Sequence, residues 1–268
     1  MSMMWRALTA RKRGCFQGTL PRFELEKQGV TCDALGAFRH LFGIEDTGLL
    51  PITFPHLVAA PLHMEIATRP DFPLPALGLI HMANRITQHR PIPTASALDL
   101  QVWIEGHRGT PLGVEFDLHT HALVDGVCCW EEVSTVLSRA VEGVGSRPPR
   151  VKPPLDRDVP GVSLELPSNW GRAYAQVSGD WNPIHLHPWT AKPFGFSRHI
   201  AHGMALLAKV EHALHRPGEG SVTLSTRFEK PVFLPATVML QSASENDRTT
   251  FVVRGERPHM FGWYGASE

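Results

Sequence analysis

The chain has 268 residues, of which 43% are hydrophobic, so it is long enough for one large domain or two small ones. Lysine plus arginine and aspartate plus glutamate both number 26, and this balanced charge gives no reason to expect nucleic acid or an anionic membrane as a partner. No apolar run approaches the roughly 18 residues of a membrane span, so we expect none.

The N-terminal segment, residues 5–13, is basic and contains no acidic residue. We interpret it as a solvated tail, with an organellar transit peptide or a contact for an acidic partner as the alternatives. The four cysteines lack the Cys-x-x-Cys spacing of zinc and redox sites, which favours reduced thiols. We therefore expect a cytoplasmic protein, and the basic segment leaves the mitochondrion as the alternative location.

The chain repeats itself with an offset of 142 positions. Residues 78–93 resemble residues 221–235, with Arg85 matching Arg227. Each of these segments follows an apolar stretch with helical character. The two stretches are residues 54–68 and residues 202–215. Pro61 should kink or restart the first of these helices.

Alternating or β-rich patterns predict strands in both copies. These strands are residues 98–104, 112–123, 129–137, 162–166, 237–241 and 249–254. A helix that is apolar on nearly every side, followed by several strands, is typical of an antiparallel sheet wrapped around a buried helix. The proline-rich residues 146–154 suggest an extended linker, so we divide the α+β chain into units 1–145 and 155–268.

One loop concentrates the chemistry of the chain. Asp180 and His185 are five positions apart, and Gly179 and Pro183 prevent regular helix between them. A carboxylate and an imidazole that converge on one water molecule can take a proton from it and return one to a neighbouring carbon. Addition of water to a polarised double bond, and the reverse dehydration, need this chemistry.

The run from Ser178 to His185, Ser-Gly-Asp-Trp-Asn-Pro-Ile-His, resembles the active-site motif of the MaoC-like (R)-specific enoyl-thioester hydratases. That motif is Gly-Asp-x-Asn-Pro-(Leu/Ile)-His followed by a His-Gly dipeptide, which is His202-Gly203 here. One departure is His187, where many members carry an acidic residue. This departure puts the local support of the loop in question rather than the chemistry.

Over nearly its whole length the sequence is similar to the double-hot-dog, mycobacterial-type 3-hydroxyacyl-thioester dehydratases, including the run of residues 81–91. The resemblance implies two tandem hot-dog units and an acyl-CoA or acyl-carrier-protein thioester as the substrate. It also implies that no cofactor is needed, and it leaves a homodimer open. The first unit lacks the motif, so we expect one active site per chain, with the first unit completing the fold and making room for a longer acyl chain.

We assign the proton transfers to Asp180 and His185. Asn182 precedes proline and should support the loop. Gly203 begins the second buried helix, where its N–H can approach a thioester carbonyl and stabilise the enolate oxygen, or where close packing alone can require glycine. His202 either shapes this oxyanion site or satisfies the helix start.

Further polar residues have candidate roles. For Ser178 and for Tyr174, which we place on a short helix begun by Ser168, we favour structural roles over hydrogen bonds within the site. Four cations are candidate phosphate contacts, with a solvated surface as the alternative. They are Lys192, Arg198, Arg227 and Lys230. His185-x-His187 lacks a third ligand at a recognisable spacing, so we expect no metal.

The leading hypothesis is a (3R)-hydroxyacyl-thioester dehydratase or trans-2-enoyl-thioester hydratase of fatty-acid metabolism, which is a hydro-lyase. The alternatives are a non-catalytic protein that binds acyl-thioesters or serves as a partner subunit, and a hot-dog thioesterase. Intact Asp180, Asn182 and His185 argue against a silent protein, and the Asn-Pro-x-His sequence after Asp180 does not favour a thioesterase.

Overall fold

The computed structural model describes residues 19–76, 78–139, 145–146, 151–214 and 221–266. Within these residues the strands form one antiparallel sheet. The strands are β1 (Glu24–Val30), β2 (Leu79–Gln88), β3 (Leu98–Thr110), β4 (Gly113–Val124), β5 (Val127–Ser138), β6 (Gly161–Leu166), β7 (Val222–Phe228), β8 (Ala236–Glu245), β9 (Arg248–Arg254) and β10 (Pro258–Ala266). The six strands predicted from the sequence are confirmed as β3, β4, β5, β6, β8 and β9.

The strand order is symmetric about the middle of the sheet. It runs β1-β3-β4-β5-β2 through the first half and continues β7-β10-β9-β8-β6 through the second. In the described part of the chain, each half therefore contains five strands in the same arrangement. This arrangement agrees with the repeat in the sequence. The linker predicted at residues 146–154 lies partly outside the described residues, so the division between the units stays a prediction.

The two halves join through β2 and β7, which carry the repeated segments. These strands pair antiparallel, with Ile86 opposite Leu224 and Thr87 opposite Thr223. The hydroxyl oxygens of the two threonines are 3.2 Å apart across the junction. Since the inner edge of each half is paired with the other half, neither half presents that edge to solvent.

The helices are α1 (Leu35–Phe42), α2 (Phe54–Ala67), α3 (Trp170–Ser178), α4 (Pro188–Ala191) and α5 (Gly203–Leu214). The buried helices predicted from the two apolar stretches are confirmed as α2 and α5, and each lies against the core of its half. A restart of the first helix at Pro61 is wrong, because α2 continues through that residue. Helix α3 begins at Trp170 rather than at Ser168.

Helix α5 also contacts the start of α2 in the other half. The carboxyl group of Glu211, which is 3% exposed, accepts hydrogen bonds from the backbone N–H of Ile52 at 3.2 Å and from the hydroxyl of Thr53 at 2.8 Å. These donors belong to the residues just before α2, where helices leave backbone N–H groups without an internal acceptor. Glu211 therefore ties the second half to the helix of the first half.

Two further features concern the chain as a whole. No helix in the described part of the chain is long and apolar enough to cross a membrane. The thiols of Cys32, Cys128 and Cys129 are free, which agrees with the expected reduced state, and Cys15 lies outside the described residues.

Candidate active site

The loop that carries Asp180 starts where helix α3 ends. Gly179 follows the helix with φ of 74°, a left-handed conformation that glycine adopts without strain, and it turns the chain away from the helix axis. The hydroxyl of Ser178 donates to the carbonyl of Tyr174 at 2.9 Å and accepts from the N–H of Asp180 at 3.2 Å. In this structure Ser178 therefore fixes the loop.

Asn182 and Pro183 shape the next turn. The N–H of Asn182 donates to Oδ1 of Asp180 at 3.1 Å, and the side-chain oxygen of Asn182 accepts from the N–H of Ile184 at 3.3 Å. A short 3₁₀ helix, Pro183–His185, follows and brings His185 back toward Asp180. Further along, His187 accepts a hydrogen bond that begins helix α4, so it supports the loop without an acidic group.

The imidazole of His185 is buried and oriented by the backbone. Its Nδ1 lies 2.8 Å from the carbonyl oxygen of Ile200. A carbonyl can only accept, so Nδ1 carries the proton and Nε2 keeps a lone pair. Burial lowers the pKa of His185 below its ordinary value, although Asp180 works in the opposite direction. At neutral pH His185 is therefore a neutral base.

His202 lies against His185, with ring centroids 3.7 Å apart. Its Nε2 donates to the backbone carbonyl of Asp180 at 3.1 Å and lies 3.6 Å from Oδ2 of the same residue. Burial, reinforced by His185, lowers the pKa of His202 to about 3, so this ring is neutral as well. The ring of Tyr174 packs on its other side at 4.8 Å. His202 thus contacts both Asp180 and His185.

The carboxylate of Asp180 is ionised in this setting. Burial works to raise its pKa, but the neighbouring His202 and His185 rings and the Asn182 N–H outweigh it, so the pKa lies below the ordinary value. The side chain remains 45% exposed. One side-chain nitrogen or oxygen atom each from Asp180, His185 and His202 lies within 4.8 Å of the other two. Because a hydrogen bond is about 2.8 Å long, one water molecule can bridge such a separation.

Gly203 is the first residue of α5, directly beside this group. A β-carbon at this position would lie 2.9 Å from the ring of Phe228. Real β-carbons do not approach so closely, so any larger residue here would force the Phe228 ring to shift. The N–H of a first helical residue has no acceptor within the helix and points toward the helix start. Both roles predicted for Gly203, packing and carbonyl binding, are therefore compatible with its position.

The four candidate phosphate contacts have different surroundings. The ammonium of Lys192 is 5.4 Å from the ring centroid of Trp189, and the guanidinium of Arg198 is 5.9 Å from that of Phe233. Arg227 is engaged by Glu229 in a 2.8 Å ion pair, and Lys230 is exposed. Their role in binding phosphate stays a prediction.

The first half contains a polar cluster that the sequence pattern did not predict. Its members are His56, His63, His81, Asn84 and Glu132. Glu132 is 1% exposed on β5 and accepts from Nδ1 of His56 at 2.8 Å and from the amide of Asn84. Nε2 of His63 lies 2.8 Å from the hydroxyl of Thr120. The sequence offered two signals of this cluster. Glu132 occupies an inward position of a strand, and His56 and His63 are seven positions apart on one helix.

Among the residues that the structure describes, two groups contain side chains with donor atoms close enough to hold a metal ion. They are His56, His63 and Glu132 in the first half, and Asp180, His185 and His202 in the second. The facing atoms of His56 and Glu132 already hydrogen-bond each other, and His185 uses Nδ1 for Ile200. The absence of a metal stays a prediction.

Comparison with known proteins identifies relatives of this chain. Residues 157–257 match the MaoC like domain. The chain is 37% identical over 212 residues to the 3-hydroxyacyl-thioester dehydratase X of Mycobacterium tuberculosis, covering 78% of this chain and 75% of that protein. It is 42% identical over 66 residues to the (R)-specific enoyl-CoA hydratase of Aeromonas caviae, covering 23% of this chain and 49% of that protein.

The structural comparison extends the likeness to both halves. The crystal structure of HtdX of Mycobacterium tuberculosis matches with a TM-score of 0.79 and 31% identity, covering 92% of this chain and 100% of that one. The predicted α+β double-hot-dog fold is thereby confirmed. With this match and the similarity over most of the sequence, the chain belongs to the MaoC-like family of 3-hydroxyacyl-thioester dehydratases and enoyl-thioester hydratases.

Proposed function

We propose that this protein is a hydro-lyase that interconverts a (3R)-hydroxyacyl-thioester and the trans-2-enoyl-thioester. The observation that carries the proposal is the pairing of an ionised Asp180 with a neutral His185 whose Nδ1–H is held by Ile200. The two side chains are close enough to share one water molecule. They are therefore prepared to hold a water molecule and to move its proton.

In the hydration direction, the Asp180 carboxylate accepts a hydrogen bond from one O–H group of the water molecule, which keeps that hydrogen, and so fixes the orientation of the water. Nε2 of His185 takes the other hydrogen as the water oxygen forms a bond to C3 of the enoyl group. The C2–C3 π electrons move toward the thioester carbonyl and form an enolate. The His185 imidazolium, stabilised by the Asp180 carboxylate, then gives its proton to C2. Dehydration follows the same steps in reverse.

The enolate oxygen needs a hydrogen-bond donor in a site with little water. The N–H of Gly203 at the start of α5 is the donor that we propose, with the positive end of the helix dipole behind it. His202 contacts both Asp180 and His185 and so helps to hold the two residues in place. On this assignment Asn182, Ser178 and Tyr174 support the loop rather than touch the reacting atoms.

We infer that the acyl group arrives on coenzyme A or on acyl carrier protein, whose phosphates Lys192, Arg198, Arg227 and Lys230 would meet. The cytoplasm is the proposed location, with the mitochondrion as the alternative because of the basic residues 5–13. The protein is either a monomer or a homodimer, and light scattering on the purified protein distinguishes the two states.

Crotonyl-CoA tests the activity directly. We expect loss of the enoyl absorbance without release of free CoA, and formation of the (3R)-hydroxy product. Release of CoA would instead indicate a thioesterase. Binding without conversion would indicate a silent acyl-thioester-binding protein. A series of chain lengths on CoA and on acyl carrier protein would then define the preferred substrate.

A further inference from the structure

The first half of the protein buries a charge pair that the proton transfers described above do not use. Glu132 lies among the inward-facing residues of β5. Both of its carboxylate oxygens face Nδ1 of His56, at 2.8 and 3.0 Å, and Asn84 donates to it as well. An unpaired buried charge is costly, so an ionised Glu132 in this position is stabilised by a positive partner.

The charge of this pair resides on His56 and Glu132 and not on the neighbouring histidines. Burial works against a charged His56, but Glu132 outweighs it and raises the pKa of His56 above its ordinary value. Burial lowers the pKa of His63 to about 3 and that of His81 to about 4, so both are neutral. Burial opposes ionisation of Glu132 too, yet His56 brings its pKa down to about 2.

A series of ring contacts connects this pair to the candidate active site. The rings of His56 and His81 are stacked with centroids 6.1 Å apart, and His81 lies 4.9 Å from the ring of Phe228. Phe228 is the side chain that covers Gly203. Helix α2, which carries His56, also packs against α3, the helix that leads into Asp180. The first half therefore forms a wall of the site.

The two histidines that lie against Asp180 do not supply it with a positive charge at neutral pH. His185 and His202, the nearest histidines to Asp180, are both neutral. His56 is close enough for its charge and that of Asp180 to influence each other. The titratable groups that face His56 are Glu132 on β5, His63 on its own helix, His81 on β2 and Asp180 on the loop.

We propose that His56, charged through its buried ion pair with Glu132, is a positioning residue for the Asp180 carboxylate. The imidazolium, contributed by the half that lacks the catalytic motif, attracts the ionised Asp180 carboxylate and holds it toward the shared water molecule. The second half alone would thus contain the groups that move protons, but it would lack the positive charge that orients the Asp180 carboxylate. The kinetic part of this inference rests on the proposed hydratase activity, whereas its electrostatic part does not.

The electrostatic part can be tested on the wild-type protein by ¹⁵N NMR of labelled histidine, with His56→Gln identifying the signal. We expect His56 to be an imidazolium at pH 7. In Asp180→Asn its pKa should fall by roughly half a unit, the size expected for partly screened charges several ångströms apart. By linkage, this shift equals the change that the His56 charge causes in the pKa of Asp180. A neutral His56 in the wild type, or an unchanged pKa in Asp180→Asn, overturns the proposal.

The kinetic part compares two substitutions of the same kind. Glu132→Gln removes the partner of His56 and should lower kcat by about threefold or more, the factor that half a pKa unit corresponds to, with a smaller change in KM. Glu211→Gln alters a second buried acid, which hydrogen-bonds Ile52 and Thr53 rather than the cluster, and should leave kcat within about twofold at pH 7. Wild-type kcat in a folded Glu132→Gln protein overturns the proposal. If Glu132→Gln does not fold, the NMR result decides. A wild-type protein without hydratase activity would count against the proposed function and leave the NMR test standing.

Discussion

Glu211→Gln should remove a pH-dependent loss of stability that the wild-type protein carries between pH 4.5 and about 7. The carboxyl group is almost completely buried between α5 and the start of α2. Burial raises its pKa from 4.5 to about 7, although the hydrogen bonds from Thr53 and Ile52 favour the ionised form. The folded state therefore binds a proton more tightly at this site than the unfolded chain does.

The sign and size of the effect follow from this difference. A folded-state pKa above the unfolded one means that the contribution to stability is fully present below pH 4.5 and is lost as the pH rises through about 7. The shift corresponds to about 3 kcal/mol, at about 1.4 kcal/mol for each unit. Glutamine is neutral at every pH, and its carbonyl oxygen can still accept from the N–H of Ile52.

Urea unfolding of both proteins across this pH range measures the effect. The free energy of unfolding of Glu211→Gln, minus that of the wild type, should increase by about 3 kcal/mol from the acidic to the neutral end. Histidines that titrate in the same range contribute equally to both proteins and cancel in the subtraction. A difference that stays constant with pH would show that the Glu211 carboxyl is not the buried acid described here.

Further predictions concern the site and the fold. Asp180→Asn and His185→Ala should each lower turnover by about a hundredfold or more with the fold intact by circular dichroism, and near-normal activity in either would remove that residue from the mechanism. Gly203→Ala should lower turnover by up to about a hundredfold and also lower the melting temperature, because the new methyl meets Phe228. Adding Phe228→Leu should restore stability but not activity, and recovery of both would assign Gly203 to packing alone. A fragment of residues 155–268 should be insoluble or self-paired because β7 loses β2, and an active monomer would contradict this.

The elements with a strong hydrophobic pattern were predictable from the sequence, and the others were not. The predicted helices at α2 and α5 are confirmed because nearly every side of each helix meets the core. Strand β1 was missed because most of its residues are exposed, so no buried alternation marks it. Strand β10 was missed because glycines interrupt its pattern. At Gly262 a β-carbon would lie 1.9 Å from the carbonyl oxygen of Ser225, so close strand contact excludes a side chain.

The local part of the candidate site was equally accessible to sequence reasoning. Asp180, Asn182 and His185 lie within six residues, and the turn signals around them suffice to place them together. The sequence could not show that His202 contacts both Asp180 and His185, because this depends on how α5 enters the core. His56 and Glu132 are 76 positions apart and meet only through the packing of a helix on a sheet.

The symmetric strand order has a consequence for how the two halves could diverge. A homodimer of one hot-dog unit must place the same residue at both symmetry-related positions. In this chain, isolated bridges join Ile200 to Phe233 and Leu49 to Pro93 at corresponding places. Three positions after each bridge stand Gly203 in the second half and Ile52 in the first.

The N–H that we propose as a carbonyl donor at Gly203 thus has a counterpart at Ile52, and there the acceptor is the Glu211 carboxyl of the chain itself. An internal side chain occupies the place in the first half that the substrate would take in the second. Fusion of two copies into one chain allows this exchange, because one ancestral site can close permanently while its twin stays open.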